Sequence, residues 1–166
     1  MATSTLRVGV DMVNIRQLRD MIETSGPTFL DSGWTSAEQA YCAGSVARLA
    51  ARWAAKEAAM KALGHGIGEV DPIDIEVHAV EGEPPDLHLR GTAAGYALEV
   101  GLSHFALSLT HEANFAVAFV AACGPGSGPM DREGILTKLA HGAADGQLGT
   151  YDGFSSRPMN QEGRDN

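Results

Sequence analysis

RLAARWAAKEAAMKALGHGIG, residues 48–68, sets one acid among cations on an alanine-rich stretch and then breaks into glycines. Side chains at i and i+4 of a helix share a face, so Trp53, Glu57 and Lys61 form one stripe with Arg52 and Lys56 beside it. Two readings follow. In the first the stripe is structural: an exposed Glu57–Lys61 ion pair is worth only about 0.2–0.5 kcal/mol, and the alanines from Ala47 to Ala62 suit a closely packed helix. In the second, a carboxylate among cations, followed by exposed loop amides, holds a divalent metal and a phosphate together. Taken alone, the helix favours the first.

Working outward, Ser45 is placed to cap this long helix, which runs through Leu63. Upstream, LRVGVDMV (residues 6–13) is β-prone and mostly apolar, which predicts a buried first strand ending near Asp11. Asn14 suits the N-cap of a following helix in which Ile15, Leu18, Met21 and Ile22 recur at helical spacing, up to Gly26-Pro27. Two short helices are expected next, the second being TSAEQAYC with Thr35 or Ser36 as its cap. Downstream of the GHGIGEVDP loop, DIEVHAV and LHLRG read as strands around an EGEPPD turn, and Thr92 to Val100 as a short helix. FALSLTHE and FAVAFVAA then form a hairpin turning at Ala113 and Asn114. This order predicts an α+β fold, with a largely antiparallel sheet packed on a long central helix.

Residues 1–122 are expected to be one domain and residues 123–166, rich in Gly, Ser and polar residues, a mobile tail in which Ile135, Leu136 and Leu139 suit one helical turn. No apolar run reaches membrane-span length and no signal-type segment opens the chain, so a cytoplasmic protein is expected. The two cysteines, Cys42 and Cys123, carry no metal-site spacing and suggest no disulfide. A net charge of −9 argues against nucleic-acid binding. The charge is uneven: residues 1–61 hold seven Lys/Arg against six Asp/Glu, whereas residues 62–122 hold one against nine. An anionic ligand is therefore expected on the side of the first helix and the long helix.

Two further places carry candidate chemistry. Asp11, at the end of an apolar strand, is a costly place for a charge unless something binds it, although a hydrogen-bonded strand-end Asp fits equally. His111 and Glu112 close SLTHE at the hairpin, where a solvated turn is the plainer reading. In combination, GVDMV, RWAAKEAAMKALGHGIG and LSLTHE resemble, in that order, the motifs of holo-acyl-carrier-protein synthase, a phosphopantetheinyl transferase, over about residues 6–122. The resemblance implies the 4′-phosphopantetheinyl transferase-like fold. It also implies transfer of 4′-phosphopantetheine from coenzyme A to a serine of an apo acyl carrier protein in fatty-acid or polyketide synthesis, releasing adenosine 3′,5′-bisphosphate. By the same resemblance Asp11 and Glu57 are ligands of Mg2+ and share the catalytic role with Lys61, which contacts the pyrophosphate. Arg52, Lys56, Gly64, His65, Gly66 and His111 are expected to bind coenzyme A, with Gly68 in the same loop, and Arg16 and Arg19 to dock the carrier. The base that takes the serine proton is left open between Glu57, Glu112 and a metal-bound water.

Trp53 replaces the usual Phe and reads as core packing. Asn14 stands where an acid near the metal is common, and Gln17 where an arginine is usual. The family assembles as homotrimers with sites between subunits, and the same is expected here. Two other functions fit the same residues: a non-catalytic coenzyme A or carrier-binding module, and a metal-dependent phosphohydrolase.

Overall fold

The computed structural model describes residues 4–80 and 82–126, all within one compact unit, Met1–Met130. Strand β1 (Thr5–Asn14) alternates strictly: Arg7, Gly9, Asp11 and Val13 face inward, while Leu6, Val8, Val10 and Met12 face out and stay more than half exposed. The switch to helical period comes at Asn14, whose side chain accepts the amides of Arg16 and Gln17 and so starts α1 (Ile15–Ser25). Gly26, at φ 67°, ends it and leads into α2 (Pro27–Gly33). Thr35 and Glu38 then close a reciprocal capping box at the start of α3 (Ser36–Cys42).

The long helix α4 (Val46–Leu63) is capped by Ser45 at its head and by Gly64, at φ 84°, at its foot. Its alanines are buried all round: Ala50, Ala51, Ala54, Ala55, Ala58, Ala59 and Ala62 are essentially inaccessible. Small side chains let neighbouring backbones approach, and the closest approach is at Gly9. A Cβ there would lie 1.8 Å from the Ala58 carbonyl oxygen. Arg7, one inward position earlier, donates to the Leu63 carbonyl at 3.1 Å and so helps to close the C-terminus of α4.

After a 3-10 turn (Pro72–Asp74) come β2 (Ile75–His78), β3 (Asp86–Leu89), α5 (Gly91–Glu99), β4 (His104–Glu112) and β5 (Phe115–Gly124). Every described ladder is antiparallel, as the sequence suggested, but the strands form two sheets rather than one. β1, β5 and β4 make a three-stranded sheet in that order, with β5 in the middle, and β2 pairs only with β3. The buried face of the larger sheet, including Ala116, Ala118, Val120 and Ala122 of β5, packs on α4. Ala113, at φ 45°, forms the hairpin turn. β5 runs to Gly124, two residues past the expected strand end; residues 127–166, which hold nearly all of the expected tail and its helical turn, lie outside the described residues. Among the described residues no helix is long and apolar enough to cross a membrane.

Candidate active site

Asp11 and Glu57 meet because of the crossing at Gly9. Asp11 is the next inward residue of β1 after Gly9, and Glu57 precedes Ala58, which touches that glycine. The sequence reading paired Lys61 with Glu57 one helical turn back. The structure pairs it with Asp11 instead: the Lys61 Nζ donates to Asp11 Oδ1 at 2.7 Å and to the Val10 carbonyl at 3.0 Å. Asp11's side chain is only 11% exposed whereas that of Lys61 is 54% exposed, so the ammonium leans over the carboxylate from the solvent side.

Asp11 Oδ2 is buried and has no hydrogen-bond partner. Glu57 is held above the ordinary carboxyl range, first by burial and then by the neighbouring Asp11 carboxylate; the Trp53 indole and Lys61 pull it partly back. Burial beside another carboxylate favours the protonated form of Glu57, and a dication can take the place of that proton. The donor set suits a hard cation. Among the described residues no three His, Cys, Asp or Glu converge on a metal position. Mg2+ needs only one or two carboxylates, with water and phosphate oxygens completing its shell. Asp11 Oδ2 and the Glu57 carboxylate fit that role.

The other expected site residues are placed differently. Lys56, expected to bind coenzyme A, is fully buried and spends its donors on Glu38 Oε2 at 2.8 Å, the Pro72 carbonyl at 2.9 Å and the Ile75 carbonyl. Burial pushes its ammonium below the usual lysine range, against the opposing pull of Glu38. Lys56 therefore offers no charge to a ligand at the surface. Arg52 is also buried, on the α3 side of the helix, with its guanidinium over the Tyr41 ring at 4.4 Å and Nη1 on the Arg48 carbonyl. Its Nε is buried without a partner and keeps one donor in reserve.

In the glycine loop, the Gly64 and His65 amides both donate to the Met60 carbonyl, and the Gly66 amide donates to Glu69 Oε2 at 3.3 Å. Those amides, expected to face a nucleotide, are spent on capping the helix and the loop. His65 stacks on Tyr96 with ring centroids 3.6 Å apart. Its Nδ1 lies 3.3 Å from Glu69 Oε1 but is too poorly aligned to form a hydrogen bond. Gly68 takes φ 99°.

His111 lies on the same face as Asp11 but on the opposite edge of the sheet. Its row runs His111, Ala116, Val13, while the Asp11 row runs Leu109, Ala118, Asp11. Two inter-strand spacings, about 10 Å, separate the edge strands. Glu112 falls on the other face altogether, so within one chain it is no third acid beside Asp11 and Glu57. Arg16 and Arg19 are exposed on α1, and Asn14 is committed to capping that helix.

A family model, the 4′-phosphopantetheinyl transferase superfamily, matches residues 7–120. The chain belongs to this family. The holo-[acyl-carrier-protein] synthase of Herpetosiphon aurantiacus is 40% identical over 126 residues, 72% of this chain and 99% of that protein. Among solved structures, the Helicobacter pylori holo-[acyl-carrier-protein] synthase in complex with coenzyme A is similar with a TM-score of 0.63 at 27% identity, covering 69% of this chain and 98% of that one. The Neisseria meningitidis enzyme has the same TM-score at 31% identity, covering 70% of this chain and 96% of that one. The region matched by the phosphopantetheinyl transferase model contains Asp11, Glu57, Lys61 and His111 together.

Two contributors escaped the sequence reading. Trp53 packs as expected, its ring 5.0 Å from Trp34 and 5.7 Å from Phe29, and its indole also pulls the Glu57 pKa down. The i,i+4 spacing of Trp53 and Glu57 was the available signal. Glu38, the partner of Lys56, was foreshadowed only by the Thr-x-x-Glu capping pattern.

Proposed function

We propose that this phosphopantetheinyl transferase is a Mg2+-dependent holo-acyl-carrier-protein synthase, moving 4′-phosphopantetheine from coenzyme A to a serine of an apo acyl carrier protein. The observation that carries the reading is the Asp11–Glu57–Lys61 cluster, with its orphaned Asp11 Oδ2 and raised Glu57, in a chain matched along residues 7–120 by the family. In the transfer the serine oxygen bonds to the β-phosphorus of coenzyme A, the bond to adenosine 3′,5′-bisphosphate breaks, and the serine proton leaves to a base. Such a displacement needs alignment and charge neutralisation more than a covalent enzyme group. Asp11 and Glu57 would hold Mg2+, whose chemistry there is to neutralise pyrophosphate charge. Lys61, half exposed beside them, presents its ammonium to a phosphate oxygen and stabilises charge on the leaving group.

We further propose a homotrimer with sites between subunits. The outer face of the larger sheet exposes Leu6, Val8, Val10, Met12, Phe115 and Phe119, an apolar surface that a single copy leaves in water. Pairing copies also offers a way for His111, on β4, to reach Asp11 and Glu57 of a neighbour and meet coenzyme A there. Arg16 and Arg19 supply cations on α1 for an acidic carrier.

The direct test incubates the protein with coenzyme A, Mg2+ and several apo carrier proteins and weighs each carrier. Added phosphopantetheine on at least one carrier is expected. No mass gain on any carrier, with coenzyme A still bound, would favour a binding module; adenosine bisphosphate released without a carrier would indicate a hydrolase. Light scattering is expected to give three times the chain mass, and a monomer would overturn the assembly.

A further inference from the structure

Glu38 and Lys56 form a buried node that no catalytic role absorbs. Their side chains are fully inaccessible and bonded at 2.8 Å. Glu38 Oε2 also accepts the Thr35 amide at 2.9 Å, and Oε1 accepts the Val77 amide at 3.0 Å. Lys56 completes its set on the Pro72 and Ile75 carbonyls. One ion pair thus ties the start of α3, the 3-10 turn and β2 to the middle of α4. Burying such a pair seldom adds net stability over apolar side chains of the same size, and its best-attested use is to fix one arrangement among several.

The middle of α4 needs such a device. Around Lys56 the helix packs through Ala54, Ala55, Ala58 and Ala59, and it meets β1 at a glycine. A smooth alanine cylinder against a glycine carries few knobs to resist rotation about its own axis. Lys56 directly precedes Glu57, so pinning one sets the direction of the other. With a side-chain tip roughly 6 Å from the axis, a 20° rotation displaces a carboxylate by about 2 Å, whereas a metal or reacting site tolerates about 0.5 Å.

We propose that Glu38 and Lys56 are positioning residues that set the rotation of α4 and thereby aim Glu57 at Asp11. This rests on the reading of Asp11 and Glu57 as the cation site of the transferase. The pair touches no substrate and acts through the helix.

The test replaces the pair by apolar side chains of similar size, Glu38→Leu with Lys56→Met. Melting temperature is titrated with Mg2+ at fixed coenzyme A, and transfer is measured alongside. The double variant leaves the Thr35 and Val77 amides and the Pro72 and Ile75 carbonyls without their side-chain partners; it is expected to melt below the parent, to need about tenfold more Mg2+ for half of the thermal shift and for half-maximal transfer, and to keep its KM for coenzyme A within about twofold. A double variant that folds and matches the parent's Mg2+ dependence overturns the proposal. Glu38→Gln, which keeps the side chain's size and one of its two acceptors for the Thr35 and Val77 amides, covers the case of a double variant that does not fold; it should show the same weakened Mg2+ response, and an unchanged response overturns the proposal. A parent protein whose melting responds to Mg2+ but which labels no carrier fails the transferase reading alone. A parent with no Mg2+ response fails both.

Discussion

Gly9→Ala adds one methyl group at the point where α4 crosses β1, and the structure fixes what that methyl meets. It would lie 1.8 Å from the Ala58 carbonyl oxygen, 2.8 Å from the Ala58 carbonyl carbon and 3.0 Å from the Ala62 amide. Ordinary contact for a Cβ begins near 3.4 Å, so helix and strand must part by roughly 1.5 Å, and both obstacles are backbone with no rotamer to yield. Overpacking of this kind costs about 1–3 kcal/mol where side chains can adjust, and a backbone clash belongs at or above the top of that range. For a unit of this size a loss of about 3 kcal/mol lowers the melting temperature by about 10 °C or more. The same separation opens the gap between Asp11, two residues along β1, and Glu57, next to Ala58. Any fraction that stays folded should therefore lose transfer beyond its loss of stability, by about 100-fold for a misplacement of an ångström. Thermal melting followed by circular dichroism, with carrier labelling assayed well below the new melting point, checks both halves. A Gly9→Ala protein that melts within two or three degrees of the parent and labels its carrier at the parental rate would refute the crossing geometry and the dependence of the site on it.

Glu57→Gln should separate stability from function. Because burial and Asp11 raise the Glu57 pKa above its value of 4.5 in the unfolded chain, ionising it costs the folded state: its stability is fullest below the unfolded pKa and falls as pH rises through the folded one. In metal-free buffer at neutral pH the variant is thus expected to melt above the parent, an advantage that fades as pH drops below about 4.5, while transfer and the Mg2+-dependent thermal shift are both lost; a variant less stable than the parent at neutral pH would contradict the carboxylate pairing. Trp53→Phe keeps the packing on Trp34 and Phe29 but removes the indole donor, so the Glu57 pKa in metal-free protein should rise further in a carbon-13 NMR titration. A fall, or no change, would mean that Trp53 is packing alone.

The features legible in the sequence are those set over three or four residues. Asn14, Thr35 and Ser45 were readable as caps because a side chain reaching an amide two or three residues on is a local event, and each does so. The hairpin at Ala113 is likewise local, whereas the expectation of a buried strand over residues 6–13 fails, because Leu6, Val8, Val10 and Met12 lie on the outer face of the sheet and stay exposed. What escaped depends on partners far along the chain. Lys56 and Lys61 are both lysines on an alanine-rich helix, yet one is buried by Glu38, 18 residues away, and the other bridges to Asp11, 50 residues away. No periodicity distinguishes them. The glycine loop read as open amides because the Met60 carbonyl that takes two of them, and the Glu69 carboxylate that takes a third, are visible only once the turn is closed. The division into two sheets had the same cause, since β2 and β3 satisfy each other and the order of strands along the chain does not say so.

The placement of His111 yields the sharpest test of the assembled site. A residue on edge strand β4 and a residue on edge strand β1 of one sheet remain two strand spacings apart however the loops move, because β5 is bonded to both along its length. A head-to-tail contact between copies puts the β4 edge of one beside the β1 edge of the next, and such contacts close into a ring when the rotation allows. Asp11→Asn and His111→Ala then damage different partners of the same site. Each variant alone ruins every site of a trimer. Co-expressed in equal amounts and assembled at random, they restore both native residues at about a quarter of the interfaces, since each partner is intact there with a chance of one half. Carrier labelling by the mixed protein should therefore recover to about a quarter of the parental rate, with both parents inactive. A site confined to one chain allows no such recovery, because no chain in the mixture carries both residues. Mixed trimers, confirmed by differently tagged chains, that remain as inactive as their parents would refute a site shared between neighbouring copies, and a His111→Ala protein that stays active on its own would place His111 outside the site.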